Sequence, residues 1–214
     1  MGDLSPSYAK GGDIVSISAA YATPVEYRRV VGMTDAGLDA EIEADLRAVS
    51  RYIDGEMRRH FTRDATPTVR VYVPTEATRL LMVDDLSAAP TQIRIDTSGN
   101  GTFATTLQAA DFELLPQNAP NLPEPWPFTQ VRLTSWGRLG VFPANQRVEV
   151  TARFGWPQVP QAIQRATIQI AALLRLETPR ATKRIGEMNE NVETSYQAQN
   201  IVRQLTNQYR VWLV

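Results

Sequence analysis

Cysteine is absent from the 214 residues. Disulfides, thiolate nucleophiles and cysteine-ligated zinc are therefore excluded. Histidine occurs once, as His60, between Arg59 and Phe61. A metal or catalytic role needs partners at set spacings, and neither HxxxH nor HxxE is present, so a surface or capping histidine is expected. Charge of one sign is not in excess either: 22 cationic residues face 23 acidic ones, for a net charge of −1. That balance argues against a dedicated duplex-binding protein, whose affinity rests on neutralising phosphates. Lysine is confined to Lys10 and Lys183. No run approaches the ~18 to 20 apolar residues of a membrane span. Ile14 to Ala22 has the look of a secretory apolar core, but Asp13 abuts it, and it reads instead as a short apolar N-terminal arm.

No phosphate loop, dinucleotide fingerprint or nucleophile elbow can be found, and Ser50, Ser87 and Ser135 have no local base. Asp84-Asp85 and Asp96 with Asn100 lack calcium-loop spacing and its closing glutamate, so turn chemistry is the expected reading. The sequence thus offers no catalytic, cofactor or metal residue. A hydrolase using His60 and a distant carboxylate remains the weakest of the functional classes considered.

What is present centres on Val148 to Glu177, a strand, a sharp turn and an amphipathic helix. Val148, Val150 and Ala152 alternate with Glu149, Thr151 and Arg153, the period of a strand with one covered face. Gly155 supplies a flexible joint, and Pro157 and Pro160 end the ladder and open the helix. Ile163, Ala166, Ile170, Leu173 and Leu174 then fall at helical spacing.

Upstream, Thr23-Pro24-Val25-Glu26 is a capping box with proline at the first helical position, predicting a short helix that Gly32 ends. A long helix is predicted over about 35–62, capped by Asp35, with Leu38, Ile42, Leu46, Val49, Ile53, Met57 and Phe61 as its stripe. Acids lie toward its start (Asp39, Glu41, Glu43, Asp45) and arginines toward its end (Arg47, Arg51, Arg58, Arg59, Arg63), an order that suits the helix dipole.

The period switches to two after Thr66-Pro67, predicting strands over 68–73, 78–83, 92–96, 102–107, 111–115, 130–134 and 147–154, with a hairpin turn at Thr97 to Gly101. Two long loops interrupt them, Pro116 to Pro127 with Trp126 and Ser135 to Gln146 with Trp136. Loops of that size are usually functional or ordered by a partner. The tryptophans read first as packing residues, since no basic residues cluster beside Trp126 or Trp156, and second as an aromatic platform for sugar or single strands. Arg180 to Asn191 reads as polar and extended. Tyr196, Ile201, Leu205 and Tyr209 then fall near helical spacing before the apolar ending Val211-Trp212-Leu213-Val214, which needs cover from its own core or another chain. The pattern is α+β: a helical core (a long helix over about 35–62 and another over about 160–177), an antiparallel β domain and an extended C-terminal tail.

The Thr-Pro-x-Glu-Tyr start at Thr23 to Tyr27, Tyr52-Ile53-Asp54 on the long helix, Asp111 to Asn118, and above all Ala152-Arg153-Phe154-Gly155-Trp156-Pro157 followed by Val159-Pro160 resemble the head-to-tail adaptor proteins of long-tailed bacteriophages. The resemblance covers about 23–177. It implies an N-terminal arm (1–22), a helical core (23–66 and 147–178), an inserted β domain (67–146) and a C-terminal portal-docking tail (179–214). It also implies a structural protein that is not an enzyme and uses no cofactor. Copies would form a homo-oligomeric ring, typically a dodecamer, between the portal protein and a downstream neck or tail protein. DNA would pass through the channel without sequence-specific binding, and no membrane is involved. The location implied is the virion neck, assembled in the host cytoplasm. Expected partner-binding residues are Tyr196, Ile201, Leu205, Tyr209, Arg210, Trp212 and Leu213 in the tail, with Trp126 and Trp136 in the loops. The alternative is a carbohydrate- or host-binding module built on the β domain and its two tryptophan loops.

Overall fold

Thr23 opens the first helix as the capping box predicts: its side chain accepts from the Glu26 N–H, and the Glu26 carboxylate accepts from the Thr23 N–H at 2.8 Å. A computed structural model describes residues 19–177 and 188–209. Helix α1 (Pro24–Val31) ends at Gly32, which takes the left-handed conformation at φ 73°. Helix α2 is shorter than its apolar stripe suggests, running over Asp39–Met57. Asp35 does not cap it; its carboxylate closes a tight turn by accepting from the Gly37 N–H at 2.8 Å. Arg58 is left-handed at φ 54° and breaks the helix, so Phe61 enters the core from the segment beyond it.

Seven strands follow: β1 (Thr68–Tyr72), β2 (Leu80–Leu86), β3 (Gln92–Ile95), β4 (Thr105–Thr106), β5 (Phe112–Leu115), β6 (Phe128–Leu133) and β7 (Val148–Ala152). They form two antiparallel sheets, one ordered β1-β7-β3-β4 and the other β2-β6-β5. The strand predicted over 102–107 shrinks to two residues, and the one predicted over 78–83 moves to Leu80–Leu86. The Thr97 to Gly101 turn stands as expected, tied by the Asp96 carboxylate, which accepts from the Gly101 N–H at 2.7 Å. Asp84 and Asp85 are strand residues of β2 rather than turn residues.

Helix α3 (Gln161–Glu177) packs on α2 and α1. Ile163, Ala166, Ile170 and Ala171 face inward, whereas Leu174 is exposed. The expected stop at Thr178-Pro179 and the expected extended stretch from Arg180 to Glu187 lie outside the described residues. Beyond them the chain is not an extended tail: Met188–Tyr209 is a helix, α4, laid along α3 and α2. The reason is visible in its own spacing, since Val202, Leu205 and Tyr209 recur on one face and are buried.

The apolar interior has two parts. One is built from α1, α2, α3 and α4 with Tyr21, Phe61 and Trp156; the other fills the space between the sheets with Leu81, Val83, Ile93, Ile95, Val131, Leu133, Val148, Val150 and Phe154. Strand β7 lies between β1 and β3 and runs on through Phe154 to Trp156. It therefore hands the chain from the sheet interior to the helical interior within three residues. Gly155 makes the crossing possible. Its φ is +95°, and a Cβ placed there would sit 1.8 Å from the Thr62 carbonyl oxygen.

Gly155→Ala is accordingly expected to lower the unfolding free energy by about 3 kcal/mol or more, or to prevent folding, because backbone strain and a clash with main chain act together. Gly32 has a positive φ but open space around it, so Gly32→Ala should lose only about 1 kcal/mol. Urea denaturation of the two variants checks the difference.

Candidate interaction surfaces

Five aromatic rings meet where the two interiors join. Phe61 packs on Trp156 with centroids 5.2 Å apart, and Tyr21 and Tyr209 meet Phe61 edge-on at 5.8 and 5.6 Å. Trp126 lies 5.0 Å from Trp156 and stacks on Tyr209 at 5.8 Å. Such pairs add to the area each ring buries. The long Pro116 to Pro127 loop is thereby pinned at Trp126, and its main chain is closed by the Trp126 N–H donating to the Ala119 carbonyl at 3.0 Å.

Two buried carboxylates bracket this cluster. Asp85 shares the inward face of β2 with Leu81 and Val83, so it needs a donor set of its own. Arg59 donates to it at 2.7 Å and the Trp156 indole N–H at 3.1 Å. Burial still pushes its carboxyl above the ordinary value, with Arg59 and Trp156 opposing that shift. The same guanidinium lies 5.3 Å from the Trp156 ring centroid and donates to the Tyr209 carbonyl at 2.9 Å. A single cation from a distant part of the chain thus accompanies Trp156, which is a buried packing residue as expected. Asp54 is the second carboxylate. It accepts from the Tyr21 hydroxyl, which in turn accepts from the Phe61 N–H, and it pairs with Arg51 at 3.2 Å and His60 at 2.9 Å. Burial first, and then the Asp54 charge, raise the Tyr21 hydroxyl pKa, so it stays a donor.

Sequence reasoning missed Asp85, Arg59, Tyr21 and Asp54. The signal lay in β2: Leu81, Val83 and Asp85 share one face at a spacing of two, which puts a carboxylate among apolar neighbours and demands a cation from elsewhere. The charge order along α2 also resolves into particular pairs. Asp39 meets Arg28 at 3.0 Å, Glu43 meets Arg47 at 2.6 Å, and Asp45 meets Arg175 of α3 at 2.5 Å. Arg58, Arg59 and Arg63 fall beyond the helix end.

The residues expected to meet partners separate into three groups. Leu205 and Tyr209 are buried in the helical interior, Tyr209 at 2% exposure, while Ile201 and Trp126 pack half-buried against it. Tyr196 and Trp136 are exposed at 57% and 76%. Arg210, Trp212 and Leu213 lie outside the described residues. Trp136 is held out on a fixed turn. The Asp111 carboxylate accepts from the Arg138 N–H at 3.0 Å, and the Asp111 carbonyl accepts from the Thr134 N–H at 2.9 Å. Gly137 is pressed so closely on that turn that a Cβ would come 3.0 Å from the Asp111 carbonyl oxygen. A shallow groove of about 420 Å³ runs between α3 and α4, lined by Ala162, Ala166, Ile201 and Leu205 with Arg165 and Gln204 at its rim. Among the described residues, no group of three or more His, Cys, Asp or Glu is placed to hold a metal ion, and no helix is long and apolar enough to cross a membrane.

Tyr209→Ala should lower stability by about 3 kcal/mol, the scale for emptying a buried aromatic site, and thermal unfolding measures it. The Asp54 hydrogen bond raises the His60 pKa above its usual 6.5, with burial opposing. The folded chain then holds the imidazole proton more tightly than the unfolded one. That stabilisation is complete below pH 6.5 and is lost as pH rises through the higher folded value. A set of urea midpoints from mildly acidic to mildly alkaline pH should show this fall in the native chain and its absence in His60→Gln.

No protein-family model matches this chain, and no curated protein matches it. Solved structures do. A chain from the neck of an empty gene transfer agent particle, computed with C6 symmetry, is 18% identical over 91% of each chain, with a TM-score of 0.52. A chain from the virion of a native gene transfer agent particle is 19% identical over 91% of each chain, with a TM-score of 0.50. At these identities the likeness is one of fold, and it runs nearly end to end: this chain has the fold of a neck component of a phage-like particle.

Proposed function

We propose that this chain is a structural, non-enzymatic component of a virion neck, closing with copies of itself into a ring between the capsid portal and the tail or next neck protein. The observation that carries the reading is the fold likeness to a gene transfer agent neck chain over 91% of both chains. The C6 symmetry of that neck supports a ring of six subunits or a multiple of six, including the dodecamer that the adaptor resemblance implies. In such a ring DNA passes through and is not read. The ion pairs of α2 fit that role, since Arg28, Arg47 and Arg175 are each engaged by one of its acids, Asp39, Glu43 and Asp45, which offsets positive charge that could otherwise hold a passing phosphate backbone.

Leu205 and Tyr209 serve the chain's own interior, so the portal-docking role falls to the segment after them, Arg210 to Val214, with Tyr196 and Trp136 as further contacts. The carbohydrate-binding alternative loses one of its two aromatic platforms, because Trp126 is stacked between Trp156 and Tyr209. The β domain is then a structural spacer that carries the Trp136 turn to a neighbour.

Two variants test this. Removing Arg210 to Val214 should leave the melting transition in place while abolishing capture by portal-bearing capsids, scored by co-sedimentation. Trp136→Ala should leave stability within about 0.5 kcal/mol, the usual range for a surface site, and weaken capture or ring closure. Full capture by both variants refutes the portal and neighbour contacts assigned to these residues.

A further inference from the structure

Strand β1 is the outer strand of its sheet: β7 pairs with it on one side, and no described strand pairs with it on the other. The opposite edge of the same sheet is β4, only two residues long, the kind of short strand that blunts an edge. The β1 edge is five residues long and is not blunted in that way. Its outward face carries Val69, Val71 and, just beyond the strand, Val73, exposed at 56%, 49% and 53%. The one charge on the strand, Arg70, lies on the other face, 4.0 Å from the Phe154 ring centroid and 2.8 Å from Asp84. An open backbone edge beside a row of β-branched residues is a template for one more strand.

The chain itself contains a segment that fits. Residues 1–18 lie ahead of the described part, and the five nearest to it read Ile14-Val15-Ser16-Ile17-Ser18. They are uncharged, free of proline and glycine, and put Val15 and Ile17 on one face at a spacing of two. Five extended residues span roughly 17 Å, the length of β1 itself. The next residues are anchored elsewhere: Tyr21 is buried in the helical interior, its N–H donating to the Ser50 hydroxyl at 3.0 Å and its hydroxyl to Asp54. The arm therefore leaves from the α2 side of the molecule at a fixed point.

We infer that Ile14 to Ser18 of one copy adds as an edge strand to β1 of the neighbouring copy, covering Val69 and Val71 and joining subunits into a closed ring. This rests on the ring reading above. In a cyclic assembly every β1 edge is filled and every arm is used, which an open chain of copies cannot achieve.

Because the protein has no cysteine, engineered pairs report unambiguously. One chain carries Val15→Cys or Ile17→Cys, and a second, of different tag length, carries Val69→Cys or Val71→Cys. The two are mixed, assembled and oxidised mildly, and paired strand positions lie within disulfide reach in either direction. The expected result is a hybrid dimer band from at least one of the four combinations. In addition, removal of residues 2–18 should lose the oligomer seen by native mass spectrometry while the monomer still unfolds in one cooperative transition. Rings that form with no hybrid band overturn the arm exchange and leave the ring reading intact. In a third chain that carries both cysteines, a cross-link found only within single chains also overturns it, since the arm then serves its own sheet. Neither rings nor hybrid bands, under conditions where portal-bearing capsids are supplied, overturns both.

Discussion

Trp156 is the point on which the separate parts of this molecule agree. Its ring touches Phe61, Trp126 and Tyr209, which come from the segment after α2, the long proline loop and the end of α4. Its indole N–H satisfies Asp85 from β2. None of these segments is near another in sequence, so each is held by the presence of the rest. That arrangement explains why Gly155 is needed immediately before the tryptophan: the strand has to turn within one residue to deliver the ring, and the Thr62 carbonyl leaves no room for a side chain. The cost of a left-handed backbone at that residue is offset by one of the largest fully buried side chains in the described structure.

Much of the fold could be read in advance where local rules decide the outcome. The capping box at Thr23 to Glu26, the Thr97 to Gly101 turn and the alternation of Val148, Val150 and Ala152 are set by residues within a few positions of one another, and all three stand in the structure. The apolar stripe overstates the length of α2, because such a stripe continues past a helix end when the next segment also packs on the core. Phe61 satisfies the helical period from outside the helix. The extended tail expected at the C-terminus gives way to α4 for a related reason. The spacing of Leu205 and Tyr209 already points to a helix, and the burial of that face follows once α3 is laid beside it.

The buried ion pair was the least legible feature. A carboxylate at Asp85 and a guanidinium at Arg59 are 26 residues apart, and nothing in either neighbourhood names the other. The expected interaction residues fared differently according to which surface they occupied. Aromatic side chains at Trp126 and Tyr209 complete the interior. Trp136 differs because its turn is fixed by Asp111 and Thr134 on the strand side, which leaves the indole largely uncovered among the described residues.

The clamp at the end of α4 has a mechanical consequence. Arg59 grips the Tyr209 carbonyl with one nitrogen and the Asp85 carboxylate with another. Any pull transmitted along the residues that follow Tyr209 is thus passed into the sheet and the foot of α2 together, loading several elements in shear instead of peeling one helix away from its end. A subunit wired this way resists tearing at the end of α4.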